Sequence, residues 1–306
     1  MAERGNLRWW GRIDALVTVA VCLLLVFLVP VLLAKPRERS IRLVCAANFS
    51  QIGKTMFVYA ADNEGALPKA GGPGTVWGPV SNWAAPSRRL AFDIRTDGIG
   101  GRATISSSLY LLTKCYQMPT RLFLCRGDKQ TTEFKLSDFS ASLPAGFTLA
   151  DAWDFGPQGE SWKHCSFTYG FPYGLYPMNT SRHPNVAVAA DRSAWIVGPG
   201  ADSSVWIRFK PDIPPYGGTP QTARIGNTTA HDKDGQNVLF LDGRVTFQTR
   251  SYCGVDEDNI YTVSGIAAAG HPMGNEPALM RLPQSSIDSF LANDPNSFPS
   301  LASPKR

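Results

Sequence analysis

The stretch from His231 to Gln248, HDKDGQNVLFLDGRVTFQ, decides the fold class. Asn237 to Leu241 reads as a strand, Arg244 to Gln248 as its return, and Asp242-Gly243 as a two-residue turn. Asp-Gly between apolar runs marks a hairpin, because a type I′ turn needs positive φ at both central residues. Outward from this hairpin the chain offers more short strands. Asn185 to Ala190 (NVAVAA) alternates into Asp191, a strand with an acid at its exit. Ser166 to Phe171 (SFTYGF), Arg121 to Cys125 (RLFLC) and Val205 to Phe209 read as further strands. Ser106 to Leu112 fits helix or strand, and Ser285 to Leu291 reads as a closing helix. Proline- and glycine-rich loops, Gly71 to Pro86 and Pro211 to Pro220, lie between them.

The bulk numbers agree with a turn-rich β domain. The chain has 306 residues, 28 of them Gly, 23 Pro and 8 Trp. Its apolar fraction of 43% supports a core, and its charged fraction of 18% lies below the roughly 25% of an average soluble chain. The net charge of +5 is scattered, with no basic stripe, zinc-finger spacing or phosphate loop. Nucleic acid is therefore not an expected partner.

Ala15 to Ala34, ALVTVAVCLLLVFLVPVLLA, carries no charge over 20 residues. At about 1.5 Å per residue such a helix spans roughly 30 Å, the thickness of a bilayer's hydrocarbon core. Trp9 and Trp10 precede it where interfacial aromatics belong, and Pro30 is expected to kink or weaken it. A cleaved signal usually has a shorter apolar core, and Leu32-Leu33-Ala34 is a poor small-x-small site. The run reads as an uncleaved anchor whose partner is the lipid bilayer. Arg4, Arg8 and Arg12 flank it on one side and Lys35, Arg37, Arg39 and Arg42 on the other, so charge does not set its orientation. The expectation is a single-pass inner-membrane protein with its large domain outside the cytoplasm.

Ser40 to Asp62 follows with Ile41, Val44, Cys45, Phe49, Ile52, Met56 and Tyr59 at three- and four-residue steps, one face of an amphipathic helix. Asn63-Glu64-Gly65 and Pro68 end it. The expected organisation is a cytoplasmic stub (1–14), a transmembrane helix (15–34), its amphipathic continuation (35–65), a mostly β domain (66–292) and a flexible tail (293–306). The fold class is α+β: a long N-terminal helix, membrane-embedded in its first half, packed on an antiparallel sheet with long Gly/Pro-rich loops.

The pattern Cys45, Asn48, Gln51, Ile52, Gly53, Tyr59, Ala60, Asp62, Asn63, Gly65 and Pro68, following an apolar helix and basic residues, resembles a family of bacterial prepilin-like proteins abundant in planctomycetes. Cys125 sits where that family shows F-x-C-P, with Arg126 in place of proline. His231, Asn237, Asp242 and Gly243 resemble its prepilin-type processing-associated His…Asp-Gly element, with ten intervening residues where the family usually has nine. Asp258 to Tyr261 resembles a further downstream segment. The resemblance implies a pseudopilin-like envelope protein with a structural or assembly role, linked to a type II secretion or type IV pilus-like system. Other pseudopilin or secretion-system subunits are then its expected partners. The prepilin peptidase site is a departure: in Arg8-Trp9-Trp10-Gly11-Arg12-Ile13-Asp14 neither register aligns a glycine with a following glutamate. Cleavage is not expected.

For chemistry, Asp191, His231 and Asp242 are the candidate metal ligands, with Asp232 and Asp234 nearby and calcium the ion they would take. The plainer reading has these residues capping turns around the hairpin, with no metal or cofactor. Without CxxC, zinc is not expected, and of Cys45, Cys115, Cys125, Cys165 and Cys253, an odd number, at least one stays free or pairs between chains. No G-x-S-x-G or HExxH occurs, so an enzyme is not expected. A hydrolase using His231 is the minor alternative. The main alternative is a surface module binding glycan or peptide through Trp77, Trp83, Trp153, Trp162, Trp195 and Trp206.

Overall fold

The computed structural model describes residues 3–196, 203–264, 271–275, 282–296 and 298; for residues 3–13, 29–36 and 203 only the backbone is described. The expectations for Arg4, Arg8, Trp9, Trp10, Gly11 and Arg12, and for the side chains from Pro30 to Lys35, lie outside the described side chains. The chain divides into two compact units, residues 1–43 and 44–306.

Helix α1 runs from Glu3 to Asp62. In the first unit its side chains from Asp14 to Leu28 are all exposed. Among the described residues no helix is long and apolar enough to cross a membrane. In the second unit α1 is amphipathic: Cys45, Phe49, Ile52, Met56 and Ala60 are buried, each within 1% of full burial, at steps of three and four residues. The helix stops where the sequence provides a stop. Glu64 and Gly65 take positive φ, and Gly65 N–H returns to the Ala60 carbonyl at 2.8 Å.

The second unit mixes helix and sheet, an α+β arrangement. Strands β1 (Val76–Trp77) and β2 (Arg102–Ala103) form a small parallel pair. Between them lies the short helix α2 (Arg88–Ala91), and after them α3 (Ile105–Tyr116), capped by the Thr104 hydroxyl. The main sheet comprises β3 (Phe167–Gly170), β4 (Ala187–Asp191), β5 (Gln236–Phe240), β6 (Val245–Gln248) and β7 (Leu291–Ala292). Its order is β6-β5-β4-β3-β7, antiparallel throughout.

Strands β3, β4 and β5 are buried on both faces. Alternation along β5 separates two cores. Val238 and Phe240 join Trp195, Phe209, Ala223 and Tyr261 on one face. Leu239 points the other way, toward α1, where a Cβ on Gly53 would stand 2.9 Å from Leu239 Cδ1. Glycine thus lets the helix backbone come close to the sheet. Nearby, Phe49 of α1 packs on Phe167 of β3 with ring centroids 4.2 Å apart.

Several local expectations are corrected. Arg121 to Cys125 is no strand: Thr120–Phe123 is a 3₁₀ turn leading into extended Leu124. Val205 to Phe209 is not a strand either, since helix α4 covers Ser203–Trp206. Ser285 to Leu291 is not a helix; it is irregular until it supplies the edge strand β7. Short apolar runs carry too few residues to separate period 2 from period 3.6. The 231–248 hairpin forms, but its loop has three residues. Phe240 N–H donates to the Arg244 carbonyl and Gly243 N–H to Phe240, and only Gly243, at φ +85, is left-handed. That is the loop type in which a turn is followed by a left-handed bulge residue. The tail is anchored at its start: Asn293 and Asp294 are buried, and Asp294 accepts from the Ile105 and Ser106 amides and from Trp77 Nε1.

Candidate functional site

Among the described residues, one group of side chains with metal-ligating atoms converges: Cys45, Cys125, Asp191 and His231, all buried, with one ligand atom each within 4.8 Å of the rest. Each arrives on a different element. Cys45 heads the buried face of α1. Cys125 follows the Thr120–Phe123 turn, whose exit is tied to α1 by Asn48 Nδ2 donating to the Leu124 carbonyl at 3.1 Å. Asp191 ends β4, pinned by Tyr261 Oη donating to its carbonyl at 2.7 Å. His231 closes a 3₁₀ turn (Thr229–His231) capped by the Thr228 hydroxyl, after which Asp232 and Lys233 take left-handed φ and reverse the chain into β5.

The geometry is close. Cys45 Sγ and Cys125 Sγ lie 2.6 Å apart as free thiols. Cys125 Sγ is 3.7 Å from His231 Nε2, and His231 Nε2 is 3.1 Å from Asp191 Oδ2. Asn237, opposite Asp191 in the sheet, donates both its backbone N–H (2.7 Å) and its side-chain amide (3.2 Å) to Asp191 Oδ2. Asp191 Oδ1 is buried and accepts no hydrogen bond. Burial alone lowers the His231 pKa, but the Asp191 carboxylate and the Cys125 thiol reverse this and push it up to about 11. The Cys125 thiol is held well above its ordinary value by its contact with Cys45 and by burial, against His231.

The cluster revises the ligand set read from the sequence. Asp191 and His231 come together, but Asp242 does not join them. It sits at the hairpin tip, paired with the Arg244 guanidinium and accepting the Arg244 amide at 3.1 Å. Asp234 pairs with Arg224 instead. A single carboxylate beside two thiols and an imidazole is not a calcium site, which needs about six to eight oxygens. Cys45 and Cys125 were legible as cysteines and as motif positions, but not as neighbours of His231. They stand 80 residues apart, and Cys125 stands 106 from His231. No local spacing signals that meeting.

The other motif positions have structural work, with one exception. Asn63 Nδ2 donates to the Tyr59 carbonyl at 2.7 Å, and Asp62 accepts from Tyr116 Oη at 2.6 Å. Tyr59 packs edge-on against Tyr116. Gln51 is exposed, and nothing in the structure explains it. Of the six tryptophans offered as a stacking surface, Trp77, Trp83 and Trp195 are buried and Trp153, Trp162 and Trp206 half-buried. His231 is fully buried. No protein-family model, curated protein or solved structure matches the chain.

Proposed function

We propose that the protein is a membrane-anchored, pseudopilin-like component of a bacterial cell envelope with a structural or assembly role. Residues 15–34 are the anchor, and the second unit stands outside the cytoplasm. The observation that carries the reading lies in α1: uncharged, apolar but for Thr18, and exposed at every described position from Ala15 to Leu28, then amphipathic from Cys45 to Ala60. An isolated apolar helix surface of that kind is costly in water and favourable in hydrocarbon. The prepilin-like pattern from Cys45 to Pro68 supports the same reading, and two of its residues hold the helix in place, Asn48 by donating to the Leu124 carbonyl and Asn63 to the Tyr59 carbonyl.

The test is fractionation of cells making the full-length chain. It should stay in the membrane pellet through high-salt and carbonate washes, while residues 34–306 should be soluble. Release of the intact full-length chain by carbonate overturns the anchor. N-terminal sequencing of the membrane form should show no cleavage after Gly11; a chain beginning at Arg12 would mean that a prepilin peptidase processes it. Cross-linking in intact cells should join the protein to other pseudopilin-like subunits, and its recovery only as a monomer argues against an assembly role.

A further inference from the structure

We propose that Cys45, Cys125, Asp191 and His231 bind one thiophilic divalent ion of the zinc class, as a structural centre that fastens α1 to the sheet. This inference is independent of the anchor, because all four residues belong to the second unit. Two thiolates, an imidazole and a carboxylate are donors that zinc accepts in four-coordinate sites. Zinc bonds of about 2.0 to 2.3 Å set ligand separations of roughly 3.3 to 3.8 Å in a tetrahedron. One edge already matches that spacing, Cys125 Sγ to His231 Nε2 at 3.7 Å. The 3.1 Å from His231 Nε2 to Asp191 runs to Oδ2, the oxygen that Asn237 holds, and the coordinating oxygen is Oδ1 of the same carboxylate. The edge that differs is sulfur to sulfur, 2.6 Å, which has to open by about 1 Å.

An independent feature points to a missing partner. Asp191 Oδ1 is a buried carboxylate oxygen that accepts no hydrogen bond, while Asn237 holds Oδ2 with two donors. Buried polar atoms are ordinarily paired, and an unpaired one at a cluster of ligand-type side chains is where a cation fits. Asn237 then acts as the outer support that fixes the ligand's orientation. On binding, both thiol protons leave to solvent, and the imidazole coordinates in its neutral form. No electrons move. The competing fate of the thiols is a Cys45–Cys125 disulfide, which leaves only two ligands and no such site.

The test uses the full chain in detergent micelles, thiols kept reduced, titrated with cobalt(II) as a spectroscopic stand-in for zinc. The expected result is a stoichiometric species with the d–d bands of four-coordinate cobalt and a thiolate-to-cobalt charge-transfer band, both abolished by zinc. Cys165→Ser, which removes a buried thiol outside the cluster, should leave the spectrum unchanged. Cys125→Ser should remove most of the charge-transfer intensity, and Asn237→Ala should weaken binding by about ten- to a hundredfold. The wild-type spectrum is decisive even if a variant fails to fold. Absence of a charge-transfer band in the reduced wild type overturns the proposal, as does a band that Cys165→Ser removes. Native protein extracted from membranes under thiol-blocking conditions should carry one zinc per chain. A mass two hydrogens short, with Cys45 linked to Cys125 and no zinc, also overturns it.

Discussion

Two stretches of α1 share one backbone geometry and have opposite surroundings. Between Asp14 and Leu28 every described side chain is exposed, Phe27 at 72%. Between Cys45 and Ala60 the exposure is periodic, and Phe49 is at 0%. The difference lies in how apolar residues are distributed, since both stretches contain many. Apolar residues on every face cannot all be covered by one sheet, whereas a stripe at three- and four-residue steps can. Helix formation by itself therefore does not decide which faces are covered; the period of the apolar residues does.

The sharpest way to break this comparison is to truncate one aromatic in each stretch. Phe49→Ala removes a ring packed against Phe167 and should cost about 3–5 kcal/mol of unfolding free energy. Phe27→Ala should change the same quantity by less than about 0.5 kcal/mol. Denaturant unfolding of the full-length chain in micelles, followed by tryptophan fluorescence, reads both. Equal losses would show that the two stretches do not differ as described.

Acid–base behaviour probes the second unit. Burial, reinforced by Asp294 and Asp288 respectively, pushes Asp154 up to about 7 and Asp258 up to about 8. A carboxyl with a higher pKa folded than unfolded favours the fold in its protonated form. That contribution is complete below about pH 4 and is lost as pH rises through roughly 7 to 8. The effect is on the order of a few kcal/mol. Melting temperature should therefore fall between pH 5 and pH 8.5, and Asp258→Asn should flatten the fall. A melting temperature that rises over this interval contradicts the assignment.

A smaller effect tests the hairpin that faces the buried stretch. Gly243 is left-handed, and a Cβ there would stand 3.4 Å from Phe57 of α1, an ordinary contact. Gly243→Ala should cost about 1 kcal/mol from backbone strain alone. A neutral result would mean that the tip relaxes. The smallest effect is expected on the exposed side of the same stretch: Gln51→Ala should shift unfolding by less than about 0.5 kcal/mol. If it nonetheless reduces cross-linking to envelope partners in cells, Gln51 serves a surface outside this chain. A large loss of stability would instead show a contact within it.

Much of the local structure was legible because its causes are local. The amphipathic stripe read over Ile41 to Tyr59, which is buried at Cys45, Phe49, Ile52 and Met56 but not at Val44, the stop at Asn63 to Gly65, the strands ending at Asp191 and flanking Asp242-Gly243, and the mixed helix-and-sheet class all follow from periodicity and turn chemistry. Reading failed where a short apolar run fits two periods, as at Arg121 to Cys125 and Val205 to Phe209. It also failed where a distant partner decides. Leu291–Ala292, at the end of the stretch read as a helix, becomes an edge strand because β3 offers open hydrogen bonds, and Asp294 beyond it is held by the Ile105 and Ser106 amides at the α3 N-terminus.

By itself the sequence determined where the helix is apolar all round, where it is amphipathic and where the chain turns, because each depends on residues within a few positions of one another. Only the tertiary structure decided that Cys45, Cys125, Asp191 and His231 share one buried site and that Asp242 is outside it. The reason is physical: the register of β4 against β5 and the close approach at Gly53 bring together atoms from four separate segments. A one-dimensional pattern does not encode which distant segments a packed sheet makes neighbours.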